Sequence, residues 1–174
     1  QDILIPIGAP PDKVYQVTEL PRYLYPLGTG AAPCPSGLML TKNALDKAGG
    51  FEESFTKEYQ LYEDQALLHK IYLKENVYIS SACNNKYRQR TGSIVEKVHA
   101  DGHYLAVRKY FLDWLEAYMQ NEAVESKEVQ HLLQKALLPL RHPQVYYLTN
   151  TVPVKVKRII RKGINSLTKR LWQV

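Results

Sequence analysis

The period of the apolar positions changes several times along the chain, and these changes divide it into elements. Residues 1 to 37 hold no sustained period: seven prolines (Pro6, Pro10, Pro11, Pro21, Pro26, Pro33, Pro35) and four glycines exclude continuous helix and predict extended or looping backbone draped over another surface. Ser36-Gly37-Leu38-Met39-Leu40-Thr41 is a short apolar run between turn residues, the pattern of a buried strand. Asn43 to Ala48 reads as a short helix stopped by Gly49-Gly50, because glycine adopts the left-handed conformation without steric cost.

Helical spacing resumes at Glu63 to Lys74, with Leu67, Leu68, Ile71 and Tyr72 as its apolar positions. Asp64, Leu68 and Ile71 share one stripe, whereas Glu63 shares its own with Leu67, Lys70 and Lys74. Asp64 is therefore expected to face inward more than Glu63. Val77 to Ser81 is β-branched and aromatic and predicts a strand, and Tyr87-Arg88-Gln89-Arg90-Thr91-Gly92-Ser93 a basic turn. Two amphipathic helices follow, over His99 to Gln120 and over Val124 to Leu138, the second ended by Pro139 and Pro143. From Val154 to Val174 an apolar stripe (156, 159, 160, 164, 167, 171, 174) opposes a basic face.

Composition adds limits. A chain of 174 residues, 45% hydrophobic and 23% charged, is long enough for one domain with a core. No run of about 18 apolar residues marks a membrane span, and no leader pattern opens the chain. Gln1 in place of Met, with Ile3-Leu4-Ile5 reading as a strand entered part-way, predicts a fragment of something larger. Cys34 and Cys83 are too few for a disulfide scaffold or a zinc cluster, and a reduced, cytoplasmic setting is expected.

Charge is unevenly placed. Residues 152 to 174 hold seven Lys/Arg and no acid, while the other 16 Lys/Arg nearly balance all 17 acids. The basic tail suits three fates: a membrane surface, a helix docked on the body, or, ranked last, a nucleic-acid arm. The body has no basic patch to extend such an arm, so no nucleic-acid partner is expected.

The candidate chemistry centres on Glu63 and Asp64. Acids are favoured in the first turn of any helix, where they oppose its dipole. A carboxylate turned against an apolar wall also has its pKa raised and can take a proton from a hydroxyl. Arg88 and Arg90, beside Thr91, Gly92 and Ser93, suit either a diphosphate or a solvated basic turn. His99 and His103 lack the HExxH pattern, since Ala100 stands where its Glu would be, and read as ordinary residues at the start of a helix. Ser36 is not in a GxSxG elbow, and there is no GxGxxG, P-loop or CxxC.

In order, Pro35-Ser36-Gly37-Leu38-Met39-Leu40, Leu45 to Phe55 with its Gly49-Gly50-Phe51, Tyr62-Glu63-Asp64-Gln65, Val77-Tyr78-Ile79 and Tyr87 to Ser93 resemble the C-terminal half of a family 2 glycosyltransferase. The match covers residues 33 to 94. The resemblance implies an α/β fold: part of the mixed sheet of a GT-A nucleotide-diphospho-sugar transferase, with strands near 37–41, 77–81 and 84–90, followed by a helical region. It divides the chain into 1–97, the C-terminal part of the catalytic domain; 98–151, a helical extension; and 152–174, a basic amphipathic helix.

The same resemblance implies inverting sugar transfer from a nucleotide-diphospho-sugar donor to a saccharide or lipid-linked acceptor hydroxyl. Asp64 would be the general base, with Glu63 positioning substrate or Asp64 itself. Tyr87, Arg88, Arg90 and Ser93 would lie at the donor diphosphate, and Ser36, Gly37, Tyr62 and Gln65 at the acceptor. Arg90 stands where many relatives have His, and a guanidinium neutralises charge without ligating a metal.

The chain departs from the family in lacking a D-x-D motif and the N-terminal half that carries it. A divalent metal (Mg or Mn) is accordingly expected only for the complete enzyme, and this chain alone is expected to be inactive. The alternative is a non-catalytic module that binds a partner or a membrane surface through residues 154–174, peripheral at the inner face. A sheet cut from its other half would also have an unpaired edge prone to self-association.

Overall fold

A computed structural model describes residues 7–82 and 91–155. Two short strands, β1 (Lys13–Tyr15) and β2 (Val77–Ile79), and six helices make up its regular elements, with several 3-10 turns. The helices are α1 (Lys42–Ala48), α2 (Glu63–Tyr72), α3 (Ile94–Ala100), α4 (Tyr104–Asn121), α5 (Lys127–Arg141) and α6 (Pro143–Tyr146). The chain forms two compact units, Gln1–Gln134 and Lys135–Val174.

The expected mixed sheet is not present among the described residues. Their sheet is a two-stranded antiparallel ribbon, with Lys13 opposite Ile79, Val14 opposite Tyr78 and Tyr15 opposite Val77. Of the expected strands, 77–81 is found as β2, and 84–90 lies outside the described residues. The segment near 37–41 is not a strand: Pro35–Gly37 is a 3-10 turn, residues 38–40 have no regular structure, and Met39 is 97% exposed. A strand exists only where a neighbour completes its backbone hydrogen bonds. No described segment pairs with residues 38–41, so an apolar run is not enough to make them one.

The proline-rich start does drape over a surface, and it supplies β1. Asp12 fastens the end of the ribbon, its Oδ1 accepting from Ser81 N at 2.9 Å and from the Tyr78 hydroxyl at 3.3 Å. Those bonds, Ser81's first, lower the pKa of Asp12. At Gly30 the chain passes so close to Ile7 and Tyr23 that a Cβ would collide with their carbonyl oxygens.

Thr41 starts α1, its Oγ1 accepting from Ala44 N at 3.1 Å, and Gly49 ends it at φ 71°. The helix expected from His99 is two helices. Gly102, at φ 72°, breaks the path between α3 and α4. Pro139 does not end α5 but lies inside it; the next helix begins with Pro143 in its first turn, where a missing N–H costs nothing. Most of the basic tail, 156–174, lies outside the described residues.

The core is organised around α2. Leu68 and Tyr72 pack with Tyr15, Leu20, Leu24 and Ile79, while Leu67 and Ile71 pack with Ala48 of α1. On a third side Phe111 of α4 lies edge-on to His69, ring centroids 5.3 Å apart, and stacks on Tyr62 at 4.9 Å. Residues 65 to 73 are consequently all buried, so α2 has no single inward stripe.

Two substitutions separate this core from the expected strand. Leu68→Ala is expected to destabilise the chain by about 2–5 kcal/mol, as truncation of a packed leucine does. Met39→Asp should change stability by less than about 0.5 kcal/mol. Urea unfolding measures both; a loss of several kcal/mol at Met39 would restore a buried strand there.

Candidate functional site

Glu63 and Asp64 open α2 directly after a 3-10 turn, Lys57–Tyr62. Both are half-buried. Asp64 Oδ1 accepts from the backbone N–H of Gln65 at 2.7 Å. Burial nevertheless raises the carboxyl's pKa; that hydrogen bond opposes the rise and the neighbouring Glu63 charge adds to it. Tyr72, one helical face away, has its phenol pushed up by burial and by the charge on Asp64. The ionised form of Asp64 is thus disfavoured by its surroundings.

Behind the pair, α2 buries three polar side chains. His69 Nδ1 lies 2.8 Å from the Gln65 carbonyl oxygen and donates to it. Burial pulls the imidazole down to about 4, so it is neutral and its bare Nε2 has no hydrogen-bond partner. Both amide atoms of Gln65 are also buried and unpaired. Lys70 is fully accounted for: its Nζ is 3.1 Å from Glu52 Oε2 and donates to the Gly50 carbonyl at 3.2 Å. The Gly49 to Glu53 stretch is thereby tied to the buried helix. Phe55 adds a second anchor, edge-on to Tyr110 and Trp114 of α4 at 5.3 Å each.

A tyrosine network that the sequence reading missed lies at the start of α2. The Tyr25 hydroxyl is hydrogen-bonded to Tyr62 and, at 2.7 Å, to Tyr104. Arg108 holds its guanidinium 5.6 Å from the Tyr25 ring centroid and donates to the Pro26 carbonyl at 3.1 Å. Burial pushes Tyr25 up to about 12 and raises Tyr62 as well. Burial acts the same way on Tyr104, but its bonds to Tyr25 and Tyr62 and the nearby Arg108 outweigh it and lower that phenol. Tyr104 and Arg108 are four apart on one helix face, a signal present in the sequence. Tyr25 comes from the proline-rich start and carried none.

The remaining candidates are scattered. Ser36 and Gly37 are exposed in their 3-10 turn, with Ser36 Oγ 3.0 Å from Cys34 Sγ. The Tyr62 hydroxyl is engaged by Tyr25, and Gln65 is 3% exposed. Ser93 caps α3, its Oγ accepting from Glu96 N at 3.3 Å, while Glu96 reaches back past the cap to accept from Gly92 N at 2.6 Å. Tyr87, Arg88 and Arg90 lie outside the described residues.

A cleft of about 340 Å³ lies between the 3-10 turn that leads into α2 and α3, lined by Lys57, Glu58, Ile94, Lys97, Val98, Asp101 and His103. Asp64 is not among its lining residues. Among the described residues no group of three or more His, Cys, Asp or Glu side chains could hold a metal ion.

The electrostatics of Asp64 set a stability test. Its folded pKa is raised, so its favourable contribution is complete below the unfolded value of about 4 and is lost as pH rises through the folded value. Asp64→Asn is expected to raise the urea midpoint at pH 7, with the gain shrinking as pH falls toward 4. For Tyr25 the loss comes at the alkaline end, from pH 10 through about 12. Tyr25→Phe should flatten that part of the stability profile.

Comparison with known protein families, characterised proteins and solved structures finds no match to this chain.

Proposed function

We propose that this chain is the acceptor-side portion of a glycosyltransferase, in which Asp64 accepts the proton of the attacking hydroxyl. The observation that carries this reading is the Asp64 carboxyl itself: half-buried, raised in pKa, and set at the first turn of a helix that packing holds on three sides. A general base works best when its pKa approaches the operating pH and its position is fixed. The order of motifs from residue 33 to 94 supplies the substrate class.

In the reaction the acceptor oxygen bonds to the anomeric carbon as its proton passes to Asp64. The bond from that carbon to the diphosphate breaks on the opposite face, its electron pair leaving with the diphosphate, and the configuration inverts. Arg88 and Arg90 are the chain's candidates to neutralise the departing charge. Glu63, beside Asp64, adds to the rise in its pKa.

The test is sugar transfer from nucleotide-diphospho-sugar donors by the full-length polypeptide that carries these residues. Asp64→Asn is expected to lower turnover about 10²–10⁴-fold, the usual contribution of a positioned base, while its urea midpoint rises rather than falls. Glu63→Gln should lose less. Near-normal turnover in Asp64→Asn would remove the base assignment.

A further inference from the structure

Residues 143 to 154 contain no ionisable acid or base other than two tyrosines, and the chain then turns basic: Lys155, Lys157, Arg158, Arg161, Lys162, Lys169 and Arg170 follow without one acidic residue. The neutral stretch is helical, as α6 and the wide turn Tyr147–Thr151, yet it buries none of its large side chains. Val145, Tyr146, Tyr147, Leu148 and Val154 are all exposed, Leu148 at 64% and Val154 at 65%. An isolated exposed leucine is ordinary; five large apolar or aromatic side chains exposed within ten residues mark a surface that awaits a partner.

The chemistry of that partner follows from Lys155 and from the cations that come next in the sequence. Aliphatic side chains favour the acyl boundary of a bilayer, tyrosines its headgroup level, and lysines and arginines the anionic headgroups. A second copy of the chain is disfavoured, because it would bring two basic runs together. Nucleic acid would engage the basic run but leave Val145, Leu148 and Val154 without an apolar contact. Among the described residues no helix is long and apolar enough to cross a membrane, so the pattern is that of a segment lying on a surface.

We propose that the exposed apolar face of residues 143–155 binds the chain to an anionic lipid surface. The apolar side chains enter the interface, and the net positive charge of the sequence from Lys155 onward favours anionic headgroups. This gives the segment a function independent of the sugar-transfer reading.

Vesicle flotation of the full chain tests it, with phosphatidylglycerol-containing and pure phosphatidylcholine vesicles. At least tenfold stronger partition onto the anionic vesicles is expected, weakening as salt is raised. The double substitution Leu148→Asp with Val154→Asp, which touches exposed positions only, should cut partition at least tenfold with an unchanged far-UV circular dichroism spectrum. Absence of flotation at low salt would overturn the proposal. So would equal binding to both vesicle types, or binding indifferent to the double substitution, which would make the contact electrostatic alone. Concentration-dependent dimerisation abolished by the same substitutions, without flotation, would assign the patch to a second copy instead.

Discussion

Burial of α2 on every side is the constraint on which the first compact unit depends. A helix with one apolar stripe needs one neighbour; this one is enclosed by the draped N-terminal segment, by α1 and by α4, and must accommodate Gln65, His69 and Lys70 inside. Each polar side chain is handled differently. Lys70 reaches a carboxylate and a carbonyl on the Gly50 to Glu52 loop, His69 stays neutral and bonds its own helix, and Gln65 keeps its side-chain amide unpaired. A buried ammonium requires such a partner, since an unpaired one costs several kcal/mol. The loop after α1 therefore takes its course partly from a lysine twenty residues later.

The same enclosure gives the acid pair its character. Asp64 sits where the buried helix begins, so its carboxyl is close enough to the apolar interior to be harder to ionise, while a backbone N–H still orients it. The Tyr25, Tyr62 and Tyr104 hydroxyls, with Arg108 against them, clamp the turn that precedes the pair to α4. That network holds the start of α2 in place from two distant parts of the chain. A side chain held by packing and a closed polar network has a fixed direction.

Several local features follow from the sequence alone, because local rules decide them. Gly49 closes α1, and the helical periods of α2 and α4 appear at their positions within a few residues. The break at Gly102 and the continuation of α5 through Pro139 were less legible. A glycine can end a helix or be carried within one, and a proline near a helix end interrupts only one hydrogen bond.

Long-range partners decided the rest. Leu38 to Thr41 has the composition of a strand but no pairing neighbour among the described residues, so Met39 stands in solvent instead of a core. The inward side of α2 could not be read from its stripe, because three neighbours cover it and all its faces from residue 65 on are inward. Tyr25 gave no sign of joining Tyr104, 79 residues away, since hydrogen bonds between hydroxyls depend on position in space and not on spacing. By itself the sequence determined the helical period of α2 and α4 and placed two acids at the head of α2; only the tertiary structure decided what surrounds those acids, because burial, and with it the cost of charge, is a property of the packed chain.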